Sequence, residues 1–335
     1  VSPSDVPSFT GGSRQQVWQQ LSQSYDTLAA HYGKQVDPNV LAYDAIRSMA
    51  ASVDDCHTVF SSPSEVADEQ AQLQGTAKFG GIGAFLLDAP GDPPAIREVF
   101  TGGPADKAGV KAGDVIRQVD GHDVNALAAR DVASLIRGPE GSTVALTLER
   151  RGVDSTYSIV RQQVSPPVVN FSIYTVMGRK IGYVHLYSFP ASILDHVNPG
   201  IDAIEKKGVQ GWVIDLRDNG GGELDSLQAF AGRFLHRGPL DGLIDRRGRM
   251  TFVQPTGTAL QHPQPLAVLV NENSASASEM FAEAVQEQGA GKVVGQRTSG
   301  CFGVAQEFKM GDGSGLQLKI QDVVSGLQRA PLGGD

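Results

Sequence analysis

Leu266-Ala267-Val268-Leu269-Val270-Asn271-Glu272-Asn273-Ser274-Ala275-Ser276-Ala277-Ser278-Glu279-Met280-Phe281 changes texture twice within sixteen positions. Five apolar residues in a row have the length of a buried strand, and Met280, Phe281, Ala284 and Val285 then recur at helical spacing, which predicts a helix over 276–288. Working outward, 181–187 and 211–216 read as further buried strands and 292–295 as a short one, with helices over 194–207 and 224–235. Strand alternating with helix implies parallel pairing, so this part of the chain is expected to be an α/β layer structure.

The ends of the chain have other textures. Val17, Leu21, Tyr25 and Leu28 fall at helical spacing after Gly11-Gly12, and Asp37-Pro38 supplies an N-cap and a first-turn proline for a second helix through about Met49. The first 70 or so residues therefore read as helical. From Thr76 short alternating strands and Gly-rich turns take over, with a hairpin at Arg151-Gly152, and Val164-Ser165-Pro166-Pro167 reads as a linker.

Composition bounds the function. The chain has 335 residues, 28 Lys and Arg against 37 Asp and Glu, and a net charge of −9. No basic run appears along it, which argues against a nucleic-acid partner. The apolar runs have strand length and are too short for a transmembrane segment. Cys56 and Cys301 are too few for a disulfide scaffold and lack the spacing of a zinc site, so neither metal nor cofactor is expected. Val1 opens a polar, Ser/Pro-rich stretch, which fits a chain whose targeting segment has been removed.

Gly103-Pro104-Ala105-Asp106-Lys107-Ala108-Gly109-Val110-Lys111-Ala112-Gly113-Asp114-Val115-Ile116, followed by Val119-Asp120-Gly121 and Gly138-Pro139-Glu140-Gly141, resembles a PDZ domain of the bacterial protease type. The resemblance runs from about Gly75 to Val164, and residues 127–136 form its amphipathic helix. It implies that Phe79-Gly80-Gly81-Ile82-Gly83 is a carboxylate-binding loop, whose N–H groups converge on the free C-terminus of a protein or peptide.

Two turns and one histidine carry the chemistry. A serine between strand and helix has its hydroxyl at the positive end of the helix dipole, where N–H groups without intrahelical partners can hold an oxyanion. A Ser-rich helix cap would use the same residues. Asp215-Leu216-Arg217-Asp218-Asn219-Gly220-Gly221-Gly222 ends another strand in a turn with N–H groups to spare. Asp54-Asp55-Cys56-His57-Thr58 closes the helical start.

In this order the segments resemble the carboxyl-terminal processing, or tail-specific, serine proteases and the related catalytic core of tricorn protease. The resemblance implies an α/β protease core with a parallel-type sheet over 166–335, a PDZ domain over 75–165 and an N-terminal helical segment over 1–74. It implies Ser276 as nucleophile, with the N–H of Ala277 and that of Gly220 or Gly221 as oxyanion hole. It also implies a location outside the cytoplasm: secreted, periplasmic or on the cell-envelope exterior.

The chain departs from the family at the general base. The usual general-base lysine stands 25 residues after the serine, and that count from Ser276 reaches Cys301. Tricorn-like members instead take a histidine from the region where His57 lies. Neutral imidazole accepts a serine proton near neutral pH without the desolvation a lysine needs, so His57 is the expected base and His185 the alternative. The other five, His31, His122, His196, His236 and His262, are expected in solvent. Candidates to orient the imidazole are Glu307 and Asp322, with Asp54 and Asp55 less favoured for their closeness in sequence. If Cys301 takes the position of the base and His57 reaches Ser276, Cys56 must lie near Cys301, and a disulfide between the two is expected. The competing functions are a catalytically inactive PDZ-containing peptide-binding scaffold and, less favoured, an enzyme with Cys301 as nucleophile.

Overall fold

The computed structural model describes residues 13–53, 55–87, 93–235, 238–262 and 264–325, with the Arg130 side chain left aside. They form two compact units. The first combines residues up to 67 with 245–247 and 303–322, and the second holds the rest.

In the first unit the helices Arg14–His31 and Pro38–Ala51 start where the capping residues put them. The Ser13 hydroxyl accepts the Gln16 N–H at 3.2 Å while Gln16 accepts the Ser13 N–H at 2.7 Å, and Asp37 accepts from the N–H of Asn39 at 2.8 Å. The helical start is interrupted by a strand, Val59–Ser61, paired antiparallel with Gly315–Gln317. Three residues are too few to show a period, and this strand exists because a partner some 250 positions away completes its hydrogen bonds. Phe60 is buried there against Tyr43, ring centroids 5.3 Å apart.

The second unit contains the expected α/β layer. Its sheet runs Val169–Val176, Arg179–Leu186, Trp212–Asp215, Leu266–Val270, Gly291–Gly295, the first pair antiparallel and the others parallel. The helices Ile193–Glu205, Leu224–Phe234 and Ala277–Glu287 bury Phe230 and Phe281, which pack together with centroids 5.2 Å apart. The turns that follow Asp215 and Val270 therefore emerge side by side from the carboxyl ends of adjacent parallel strands.

The same unit holds a smaller antiparallel sheet, Ala84–Leu87, Ala95–Val99, Val115–Val119, Thr143–Arg150, Val153–Val160, closed by the helix Ala129–Ile136 over a core of Ile96, Ile116, Val132, Leu146 and Leu148. Arg151 and Gly152 make the expected two-residue hairpin, both at positive φ. No helix among the described residues is long and apolar enough to cross a membrane.

Candidate active site

Ser276 is the N-cap of the helix Ala277–Glu287, at φ 53° and ψ −116°. That backbone is costly for an L residue and persists only where the surroundings fix it. Glu279 does so. It is 2% exposed, accepts the Ser276 N–H through Oε2 at 2.9 Å, and also accepts from the Ser299 hydroxyl at 3.2 Å and the Gly300 N–H at 2.8 Å.

Hydrogen bonding separates the three serines that the sequence leaves equivalent. Ser274 is fully buried and donates its hydroxyl to the Leu216 carbonyl at 2.8 Å, and Ser278, also buried, donates to the Asn219 carbonyl at 2.9 Å. Both flanking hydroxyls fasten the 271–279 turn to the 216–219 turn. Ser276 lies between them, half-buried, at the positive end of the helix.

Asn219 organises the facing turn. It is completely buried, donates Nδ2 to the Leu186 carbonyl at 2.8 Å, accepts the Gly221 N–H through Oδ1 at 2.9 Å, and accepts the Ala275 N–H on its carbonyl at 3.0 Å. Gly221 has φ 99°, and a Cβ there would stand 2.9 Å from both the Ala275 carbonyl and Ser276 Cβ. Only glycine lets the two turns approach so closely. With the Gly221 N–H given to Asn219, the N–H groups of Gly220 and Ala277 donate to no acceptor among the described residues. Ala277 is the first residue of its helix, where an N–H has no intrahelical acceptor. Sequence reasoning passed over Asn219 itself, although it immediately precedes the glycines it arranges.

Asp218 carries the network outward: Oδ1 accepts from Asn271 and Asn273 at 2.9 and 2.8 Å, and Oδ2 lies 3.3 Å from Arg97 of the small sheet. On the neighbouring strand His185 is half-buried, its ring centroid 4.0 Å from that of Tyr187. Burial pushes its pKa below the ordinary histidine value, against the pull of Asp215 and Glu98. Asp215 is fully buried. Desolvation works to raise its pKa, but hydrogen bonds from Arg217 and Tyr183 outweigh it and hold the carboxyl below the usual range.

His57 belongs to the other unit, with 8% of its surface exposed. Its N–H donates to Asp55 Oδ1 at 2.7 Å, and its Nδ1 lies 3.9 Å from the same oxygen and 3.4 Å from Cys56 Sγ. Asp55 Oδ2 is 3.0 Å from the Lys319 ammonium, which also meets Asp322 at 2.9 Å. Burial works to raise the Asp55 pKa, but the His57 N–H and Lys319 overcome it, so the carboxyl sits below its ordinary range. The carboxylate beside His57 is thus Asp55, despite its closeness in sequence. Asp322 is largely exposed and engaged by Lys319, Glu307 is exposed, and Asp54 lies outside the described residues, as does His236. His31, His122, His196 and His262 are exposed as expected. Neither cysteine is free.

In the small domain Phe79–Gly81 pairs with Gln162–Val164, and the carbonyls of Gly80, Ile82 and Gly83 accept the N–H groups of Gly138, Ala105 and Phe100. At Gly80 a Cβ would stand 2.0 Å from the Gly138 carbonyl, so no side chain is tolerated. Beside this loop runs an apolar groove of about 440 Å³ whose walls include Phe79, Ile82, Phe100, Ala133, Ile136 and, from the large sheet, Tyr187. The Tyr187 hydroxyl donates to Glu98 at 2.5 Å and its ring stacks on Phe85 with centroids 5.4 Å apart.

A serine at positive φ thus stands at a helix N-terminus against a glycine turn with an N–H to spare, and an apolar groove runs through the small domain. Comparison with known proteins names the family of the chain. The model of peptidase family S41 matches residues 180–330 and that of the PDZ domain matches 96–150. The chloroplastic C-terminal processing peptidase of Tetradesmus obliquus is 32% identical over 313 residues, 89% of this chain and 68% of that protein. The chloroplastic carboxyl-terminal-processing peptidase 2 of Arabidopsis thaliana is 32% identical across 83% of this chain and 56% of its own length, and the carboxy-terminal processing protease CtpA of Bacillus subtilis is 28% identical across 93% and 65%. The chain thus spans roughly three fifths of the latter two relatives. Among solved structures, the photosystem II D1 C-terminal processing protease aligns with a TM-score of 0.62 at 30% identity, covering 95% of this chain and 84% of that one. The chain belongs to peptidase family S41. All of these relatives are named as peptidases or proteases, and the inactive-scaffold alternative gains no support from them.

Proposed function

We propose that this chain is a carboxyl-terminal processing endopeptidase, organised as a helical segment over 1–74, a PDZ domain over 75–165 and a protease core over 166–335. It holds the free C-terminus of a protein against the Gly80–Gly83 loop and cuts the same protein through an acyl-enzyme on Ser276. The observation that carries this reading is the division of labour among three serines, two tied to carbonyls and the third left at a helix N-terminus between two spare N–H groups.

In the proposed reaction neutral His57 takes the Ser276 proton as Oγ attacks the scissile carbonyl. The carbonyl oxygen becomes an oxyanion held by the N–H groups of Ala277 and Gly220. Collapse expels the amine, which takes the proton back from His57, and water then hydrolyses the ester by the reverse proton path. Asp55 holds the imidazole by charge and through the His57 backbone. A Cys56–Cys301 disulfide, which the lack of free cysteines supports, fixes the segment that carries the base. Such a bond belongs to an oxidising compartment outside the cytoplasm.

Labelling with a fluorophosphonate probe tests the reading, because only an activated serine reacts. The expected result is one labelled serine, lost in Ser276→Ala and slowed about 100-fold or more in His57→Ala. Full labelling of Ser276→Ala would refute the assignment.

A further inference from the structure

The hairpin between Val169–Val176 and Arg179–Leu186 turns on two residues, Met177 and Gly178, at φ 49° and 77°. Two positive φ angles mark a type I′ turn, whose first position favours Asn, Asp or Gly. Methionine suits neither the backbone nor the setting, since Met177 is 99% exposed. Folding gains nothing from it there. Val176 beside it and Tyr174 two residues back are 54% and 53% exposed, so the tip presents a small apolar point to the surroundings.

Cations ring that point. Arg179 is the register partner of Val176, Lys180 follows it, and the Lys180 ammonium donates to the Lys207 carbonyl at 3.1 Å, which brings Lys206 and Lys207 from the end of the Ile193–Glu205 helix alongside. All four are exposed. The nearby carboxyl of Glu205 is occupied by the N–H groups of Gln261 and His262 at 2.9 and 3.3 Å. The fold gathers four positive charges beside an apolar tip in a chain of net charge −9.

We propose that this hairpin tip seats the protein on a bilayer bearing anionic headgroups, with Met177 and Val176 entering the interface and the four cations meeting lipid phosphates. An apolar tip within a basic ring matches the two layers of a membrane surface, apolar beneath and anionic above. A nucleic acid would use the charge and leave Met177 without a role. The tip lies at the amino-terminal edge of the parallel strands, and Ser276 follows the carboxyl end of one. Docking there keeps the serine turn on the side away from the lipid.

Sedimentation of the full chain with vesicles at low salt tests the proposal. Vesicles of equal parts phosphatidylglycerol and phosphatidylcholine should carry the protein down, and pure phosphatidylcholine should not. Met177→Asn supplies the residue the turn prefers, so it should fold at least as well, keep its peptidase activity and bind anionic vesicles about tenfold more weakly. Lys206→Gln with Lys207→Gln should lower binding by about fivefold per charge removed. The proposal fails if the wild-type chain stays in the supernatant, or if Met177→Asn binds as the wild type does. It also fails if duplex DNA binds as tightly as the vesicles, or if the tip proves to mediate a dimer that Met177→Asn dissolves.

Discussion

The helix Ala277–Glu287 buries acidic groups at both ends and treats them in opposite ways. At its first turn Glu279 accepts three hydrogen bonds and gathers Ser276, Ser299 and Gly300 around itself. At its far end Glu283 and Glu287 approach Asp241, which is completely buried and, among the described residues, is met by no N–H or hydroxyl donor, only by the carboxyl of Glu283. Glu287 accepts the Ser325 hydroxyl at 2.6 Å. The helix dipole adds to the contrast, favouring a carboxylate at the first end and opposing it at the second. Burial alone therefore does not decide the state of an acid; the supply of donors does. Desolvation, then Glu283 and Glu287, push the Asp241 pKa up to about 9, and desolvation with Glu287 pushes Glu283 up to about 7. One end of the helix is clasped by hydrogen bonds; at the other, Asp241 keeps its proton.

Removing the clasp should have the largest effect. Glu279→Ala takes the shared acceptor from three partly buried hydrogen bonds and frees the Ser276 backbone, so peptidase activity should fall by about 100-fold or more, with a loss of stability of about 2 kcal/mol in denaturant titration. Retention of activity within a few-fold would show that the strained serine does not depend on Glu279.

The other end should announce itself through pH. A carboxyl whose pKa is raised in the folded state favours the native chain at low pH, and that advantage drains away as pH rises through the folded value. Between pH 6 and 9 the wild-type chain should lose about 1 kcal/mol per pH unit from this end. Asp241→Asn should flatten most of that slope and unfold at a higher temperature than the wild type at pH 9. A wild-type melting temperature unchanged over the range would break the contrast between the two ends.

The hydroxyl bonds between the turns should give the smallest effect. Ser274→Ala and Ser278→Ala should each cost about 1 kcal/mol of stability and keep fluorophosphonate labelling of Ser276. Loss of labelling in either, in chain that remains folded, would reopen the choice among the three serines.

These contrasts also mark how far the sequence could be read. Asp37-Pro38 and the apolar run 266–270 announced their helix and strand because caps and periodicity are local signals. The Ser-Ala-Ser-Ala-Ser repeat does not tell its three serines apart, since the carbonyls of Leu216 and Asn219 that engage Ser274 and Ser278 lie more than fifty positions upstream. Asp241 sits in Gly-Pro-Leu-Asp-Gly, which reads as a surface turn; its burial is fixed by a helix some forty residues later. The closeness of Asp55 to His57 in sequence argues against it, yet a turn brings its carboxylate to the histidine's own N–H.

Asn219-Gly220 is the dipeptide at which polypeptides age fastest, because glycine offers no side chain to hinder its nitrogen from closing on the asparagine carbonyl and expelling ammonia. Here the amide is gripped at both atoms, by the Leu186 carbonyl and the Gly221 N–H, and is shut away from water. The clock therefore stands still while the fold is intact and starts when it loosens. A chain that has once converted would carry an aspartate facing the Leu186 carbonyl, acceptor against acceptor, and could not rebuild the turn that bears Gly220. The amide that shapes the turn around Gly220 is thus the same one whose hydrogen bonds hold off its own deamidation.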